Sequence, residues 1–339
     1  MRWWLYGLLL TILVVLIIPS VIVKGCSIDR QVLEQTMEIE PEGLSITMET
    51  LGDTPQIKVY NHIDKEIMDM PLEQYIVGVV AAEMPASFNI EALKAQAVAA
   101  RTLAVRKMKA YGGRGCSKYG SGADVCTFYG HCQAWISDID QEKNWKGEYD
   151  SNRAKITNAV QETRGLILTY QDNPIEVFYY STSNGKTEDV SEVFSTQLPY
   201  YQVVDSKGEE DAPKYREVFT FTDKEFVDIF KRQYPNSNLT RKGLDAQINI
   251  LGYTESGRVA EISVGGIKIQ GKDFRSLYGL NSADFRIEYS GDKVLIHTTG
   301  YGHGVGMSQV GADRMGENGG TYQEILKHYY IDVKIDRIY

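Results

Sequence analysis

Cysteine is scarce, with four residues in a chain of 339 (Cys26, Cys116, Cys126 and Cys132), which excludes a small disulfide-stapled scaffold. Positive charge is in the minority: 36 Lys and Arg face 45 Asp and Glu, a net charge of −9, and no lysine-arginine run occurs. That balance argues against a broad phosphate-neutralising surface, and so against nucleic acid as partner. Long apolar stretches are lacking beyond one at the N-terminus. With 43% hydrophobic and 24% charged residues, the chain is neither a multi-span membrane protein nor collagenous nor wholly disordered. Its length suits one large or two modest domains with ample core.

The single apolar run, Trp3 to Val23, holds 21 uncharged residues between Arg2 and Lys24, and a helix of that length spans about 30 Å. Residues 1–24 therefore read as an uncleaved transmembrane signal-anchor. A cleaved signal peptide and a lipoprotein box at Gly25-Cys26 are the alternatives, and Lys24 fits the latter badly. Placing Arg2 inside leaves the bulk outside, with a thin positive-inside margin because Lys24 sits on the other flank. Residues 25–55 form an acidic stem: between 27 and 55, seven acidic residues face Arg30 alone, interrupted by Pro41, Gly43, Gly52 and Pro55.

Residues 56–339 carry the folded pattern. Leu72, Ile76, Val79 and Val80 recur at helical spacing between Pro71 and Glu83, and Pro85 predicts a helix stop at Glu83 or Met84. A second helix is predicted from Ile90 to about Ala110, with Asn89 as N-cap and Glu91 in its first turn. A Gly- and Cys-bearing excursion follows over 112–135, then a helix near 154–163, strands near 165–170 and 175–181, and a helix near 223–234. Hairpins turn around Glu255-Ser256-Gly257 and Ser290-Gly291-Asp292, and two helices and a strand at Val333 to Ile338 close the chain. The order predicts an α+β fold: mixed helices and antiparallel hairpins in two intermingled lobes around a cleft.

Four places could carry chemistry. Glu83 stands at a helix C-terminus, where the negative end of the macrodipole raises a carboxyl pKa, as a general acid for glycosidic cleavage requires; the bland alternative is a surface glutamate. The segment Gly302-His303-Gly304-Val305-Gly306-Met307-Ser308-Gln309, before a likely helix, lets backbone approach a ligand. Its near match to a nucleophile elbow fails at Val310, yet it leaves a Ser308/His303 hydrolase as a third reading. The polar run Tyr180-Ser181-Thr182-Ser183-Asn184-Gly185, with Thr187, suits a polyhydroxy ligand on which Tyr179 or Tyr180 would stack. Cys116, Cys126, His131 and Cys132 supply either a structural Cys₃His zinc site or a Cys126–Cys132 or Cys116–Cys132 disulfide with one thiol left over; the odd count and the adjacent histidine favour zinc. His62, His297 and His328 are isolated and read as ordinary polar residues.

Three of these segments together resemble one family. Ala82-Glu83-Met84-Pro85 running into Glu91-Ala92-Leu93-Lys94-Ala95-Gln96-Ala97-Val98-Ala99-Ala100-Arg101-Thr102, then Ser181 to Thr187, then Gly302 to Ala312, are similar to the SpoIID/LytB family over roughly residues 56–339. The resemblance implies a peptidoglycan lytic transglycosylase that cuts peptide-free glycan strands during engulfment of the forespore, on the extracytoplasmic side of the cell membrane. Its implied partners are the glycan strands, an amidase that removes stem peptides, and a membrane scaffold protein. It places the catalytic glutamate on Glu83, glycan-lining loops on Ser181 to Thr187 and Gly302 to Gln309, and zinc ligands on Cys126, His131 and Cys132, with Cys116 as the fourth. Asn184 stands where many relatives have Gly. Some members of the family instead bind peptidoglycan and stimulate an amidase without cutting.

Overall fold

A computed structural model describes residues 54–119, 122–194 and 196–339. The expected membrane segment, Cys26 and the stem as far as Asp53 lie outside the described residues. Among the described residues no helix is long and apolar enough to cross a membrane.

The chain opens with a hairpin of β1 (Gln56–Asn61) and β2 (Glu66–Pro71). Helix α1 (Leu72–Glu83) starts directly behind Pro71, whose φ of −58° suits a helix entry, and its Leu72, Ile76, Val79 and Val80 are fully buried. It ends where Pro85 forces Met84 into the extended region, at φ −126° and ψ 141°. Helix α2 (Ile90–Lys107) begins at Asn89, whose side chain accepts the Glu91 N–H, and carries Arg106 and Lys107 in its last turn. It stops three residues short of the predicted Ala110; a short 3₁₀ turn, Lys109–Tyr111, follows.

Alanine at positions 92, 95, 97, 99, 100 and 104 is fully buried, so α2 is covered nearly all round. Small side chains let its neighbours approach closely: α1, α4 (Tyr149–Glu162) and β4 (Leu166–Tyr170), together with the closing helices α7 (Gln309–Glu317) and α8 (Tyr322–Tyr329), all pack on it. Between α2 and α4 lie β3 (Val125–Cys126), parallel to β1, and α3 (Asp138–Trp145). After β4 comes β5 (Tyr179–Tyr180), parallel to β12 (Met307–Ser308), while β13 (Lys334–Arg337) pairs with β4. The strand expected over 175–181 is thus only two residues long, because its partner at 307–308 offers no more.

A second hydrophobic core belongs to one contiguous stretch of chain, with Phe226, Phe230, Phe274 and Ile296 fully buried in it. It is made by β6 (Arg216–Thr222), α5 (Asp223–Gln233), β7 (Ile248–Tyr253), β8 (Val259–Val264), β9 (Ile267–Gln270), α6 (Gly271–Tyr278), β10 (Phe285–Ser290) and β11 (Lys293–Thr299). Two three-stranded antiparallel sheets result, β7-β8-β9 and β10-β11-β6. The mixture of helices and antiparallel strands fits the expected α+β class. The lobes are arranged as an insertion rather than interleaved: the first core is assembled from chain on both sides of residues 216–299, and where the chain enters and leaves the insertion the Gly300 N–H donates to the Tyr215 carbonyl at 2.7 Å.

Candidate active site and metal site

Glu83 is the last residue of α1 and is largely but not fully shielded from water. Its Oε1 accepts the Ala134 N–H at 2.6 Å, and the side chains of Tyr179 and Gln309 also hydrogen-bond to it. Burial lifts its pKa from 4.5 to about 7 against the opposing pull of these donors. Desolvation therefore outweighs the helix-end field as the leading cause, and no other carboxylate figures among the groups that shift it. At neutral pH the group is poised between acid and base, as proton transfer in both directions requires.

Three distant segments meet at this carboxyl. Tyr179 comes from β5, Gln309 opens α7, and β5 and β12 join as neighbouring parallel strands. The Ser-rich and Gly-His segments are further stitched by a two-way backbone bridge, Thr182 N–H to Tyr301 O at 2.9 Å and Tyr301 N–H to Thr182 O at 2.7 Å. Ala134 belongs to a segment laid across α1: the Ile136 N–H donates to the Gly78 carbonyl, and a Cβ at Gly78 would sit 2.2 Å from the Trp135 indole nitrogen. Gln133 fixes the same segment, donating to the Tyr75 hydroxyl at 3.1 Å and accepting from the Tyr179 hydroxyl at 2.9 Å. Burial holds the hydroxyls of Tyr75 and Tyr179 well above the ordinary tyrosine range, so both stay protonated.

The polar loop residues divide into two groups. Thr182, Ser183, Thr187, Met307 and Ser308 are buried, as are Tyr180, Gly304 and Gly306; Ser181, Asn184, Gly185, Gly302 and His303 keep partial exposure. Ser308 Oγ caps α7 by accepting the Gly311 N–H at 3.2 Å and donates to Glu209 Oε2 at 2.7 Å. Glu209 also accepts the Ser183 N–H and the Ser206 hydroxyl, which saturates it and explains how a raised-pKa carboxyl tolerates burial. His303 Nδ1 accepts the Val305 N–H at 3.1 Å and the ring bonds the Tyr179 backbone. Burial, with Arg275 and Arg258 nearby, lowers its pKa to about 3, so the imidazole is neutral. Both hydroxyl and ring are thus engaged with other partners, and no bond joins Ser308 to His303, which leaves the hydrolase reading without its dyad. Among the glycines, Gly306 is dictated by geometry: its φ is 76° and a Cβ there would lie 2.1 Å from the Phe178 carbonyl.

The excursion after α2 gathers Cys116, Cys126, His131 and Cys132, whose ligand atoms all lie within 4.8 Å of one another. The three thiols are free of disulfides. His131 Nδ1 stands 3.6, 3.5 and 3.3 Å from the sulfurs of Cys116, Cys126 and Cys132. A tetrahedral zinc with Zn–S of about 2.3 Å and Zn–N of about 2.0 Å sets sulfur and nitrogen about 3.5 Å apart, and the three histidine–sulfur distances match that spacing. Ser117 Oγ lies 3.1 Å from His131 Nε2, which leaves Nδ1 for the sulfurs. Hydrogen bonds from Cys132, the Phe128 N–H and His131 hold Cys126 below the ordinary thiol range, which favours its thiolate.

Sequence reasoning missed Gln133, Ala134, Glu209, Arg258 and Arg275, which carry no local pattern. Of the isolated histidines, His62 bonds Thr127, His297 bonds Glu288 and His328 bonds the Asp205 carbonyl, all structural contacts.

The family described as Stage II sporulation protein (SpoIID) matches residues 60–170. Stage II sporulation protein D of Bacillus amyloliquefaciens is 38% identical over 336 residues, 97% of this chain and 92% of that protein. Its counterpart from Bacillus subtilis (strain 168) is also 38% identical, over 95% of this chain and 92% of its own length. A more distant relative, the Amidase enhancer of Bacillus subtilis, is 27% identical over 75% of this chain and 39% of that protein.

Proposed function

The chain belongs to the SpoIID family of sporulation proteins, and from that premise we propose that it is a peptidoglycan lytic transglycosylase with Glu83 as its acid and base. The observation that carries this reading is a single shielded carboxyl with a pKa near 7, ringed by donors from three segments. Protonated Glu83 donates to the oxygen bridging N-acetylmuramic acid and N-acetylglucosamine, and the C1–O bond breaks with oxocarbenium character. The sugar's own 6-hydroxyl closes on C1, its proton passing to the now ionised Glu83. Because the nucleophile is intramolecular, the reaction yields a 1,6-anhydro-muramyl end without water and without a second carboxylate at retaining or inverting spacing.

The same reading places the chain at the cell membrane through its N-terminal segment, facing the space between mother cell and forespore, with an amidase and a membrane scaffold as partners. It also assigns zinc to Cys116, Cys126, His131 and Cys132; four protein ligands leave no open position, so the ion is structural. The fit of sulfur and nitrogen spacing supports that assignment.

Mass spectrometry of peptide-free glycan strands after incubation with wild type and Glu83→Gln tests the activity. Anhydro-muramyl ends from wild type alone are expected; reducing ends, or activity retained in the variant, would sink the assignment. A second reading, a glycan-binding protein that stimulates an amidase, is favoured by the relative named Amidase enhancer and predicts intact glycan from both proteins.

A further inference from the structure

The insertion meets the first core at a cavity distinct from the Glu83 site. Residues 179 and 180 are consecutive on β5, and the alternation of a strand sends Tyr179 toward Glu83 while Tyr180 packs beside His303 on the other face. Behind His303 the cavity is walled by Arg258, in the turn just before β8, and by Lys272 and Arg275 on α6. Its volume of about 30 Å³ is two to three waters' worth, room for a carboxylate-sized group rather than a sugar ring.

The two arginines there are unusual in having no direct salt-bridge partner. Among the described residues neither Arg258 nor Arg275 makes an ion pair, although Arg258 is only 3% exposed. Arg258 Nη1 donates to the Lys186 carbonyl and Ser256 Oγ, while its buried Nε meets no acceptor. Its guanidinium is held flat on the backbone of Gly304, where a Cβ would stand 2.6 Å from Cζ. Arg275 spends only its Nε, on the Leu280 and Asn281 carbonyls. The nearby carboxylates are held by other donors: Glu188 accepts from Thr254, Ser256 and the Asp189 N–H, and Asp284, though its charge is felt by Arg258, accepts its hydrogen bond from Asn184. Glu192 sits exposed at the rim, Lys272 Nζ is committed to the Val193 carbonyl, and His303 is neutral. Burial and the neighbouring Arg258 push Arg275 below the ordinary arginine range, a cost that an incoming anion would relieve.

We infer that this lobe-junction cavity is a binding site for a carboxylate, held by Arg258 and Arg275. The site stands apart from the proposed chemistry at Glu83 and does not depend on it. Two sources share that chemistry: a free small acid, and the lactyl carboxylate of N-acetylmuramic acid.

The test titrates acetate against chloride at matched ionic strength into the full chain in detergent, following melting temperature and heat of binding. Acetate is expected to raise the melting temperature of wild type above that in chloride. Arg258→Gln and Arg275→Gln should weaken acetate binding about 10- to 100-fold, the usual range for losing hydrogen bonds to a charged group. Should the buried Arg258 variant fail to fold, the partly exposed Arg275 variant carries the test. N-acetylmuramic acid and its lactyl amide then separate the sources: preference for the acid that vanishes in Arg275→Gln places the carboxylate on the glycan, and equal binding of both with acetate still bound points to a free acid. Acetate no better than chloride, or an Arg275 variant that binds like wild type, would overturn the site. Glu83→Gln should bind acetate as wild type does, so failure of the cleavage reaction leaves this result independent.

Discussion

At the residue scale, the shielding of one carboxyl sets the pH dependence expected of the proposed activity. In the proposed mechanism cleavage needs Glu83 protonated, so the rate should fall as pH rises through about 7. For stability, the native state of Glu83 binds a proton more tightly than the unfolded chain does. Stability from this group is therefore present below about pH 4.5, lost progressively as pH climbs toward 7, and Glu83→Gln should flatten that part of the curve. Chemical denaturation of both proteins at pH 5 and pH 8 reads the difference: the variant should gain relative to wild type at the higher pH. Ser308 makes the contrasting case. Ser308→Ala removes a helix cap and one donor to Glu209, so it should lower stability by about 1 to 2 kcal/mol while a serine-directed reagent labels neither protein. Covalent labelling of wild type at Ser308 would reinstate the hydrolase reading.

At the element scale, the Cys-His excursion and the Glu83 site are mechanically joined, because Ala134, which grips Glu83, lies two residues beyond Cys132 of the proposed zinc site. Metal analysis of the purified chain should find one zinc per molecule, absent from Cys126→Ser; chelation should lower the melting temperature of wild type and leave that variant unmoved. Equal metal content in the two proteins would refute the ligand set. How much of this was readable in sequence follows from how local each signal is. Helices α1 and α2 were legible because Pro71, Pro85 and Asn89 punctuate them within a few residues of their apolar spacing, and the four candidate metal donors fall within one short excursion. Helix α3 was not: it buries only Gln141 and is held by the Ser137 cap and an Arg153–Asp138 ion pair, none of which gives an apolar period. Gln133 and Ala134 are ordinary residues whose role comes from lying across α1, and Arg258 looks like any hairpin-turn residue until the backbone at Gly304 folds over it.

At the scale of the whole molecule, the first core is tied by one buried ion pair. Glu73 on α1 grips Arg101 on α2 through two hydrogen bonds of 2.8 and 2.6 Å, both side chains fully buried, and Arg101 also donates to the carbonyls of Val160 and Leu166. The Gly165 N–H and the hydroxyl of the last residue, Tyr339, close on Glu73. Arg101→Ala strands a buried carboxylate and should cost about 3 to 5 kcal/mol, measured by thermal and urea unfolding; a loss below 1 kcal/mol would show the pair to be dispensable. The insertion obeys a different logic. Its chain arrives at Tyr215 and departs at Gly300, where one hydrogen bond extends the β6–β11 ladder, so the two ends are already spliced in space. Such a segment is a cassette whose ends meet without help from its interior, and what an exchange of that interior would change first is the arginine-lined wall at the junction.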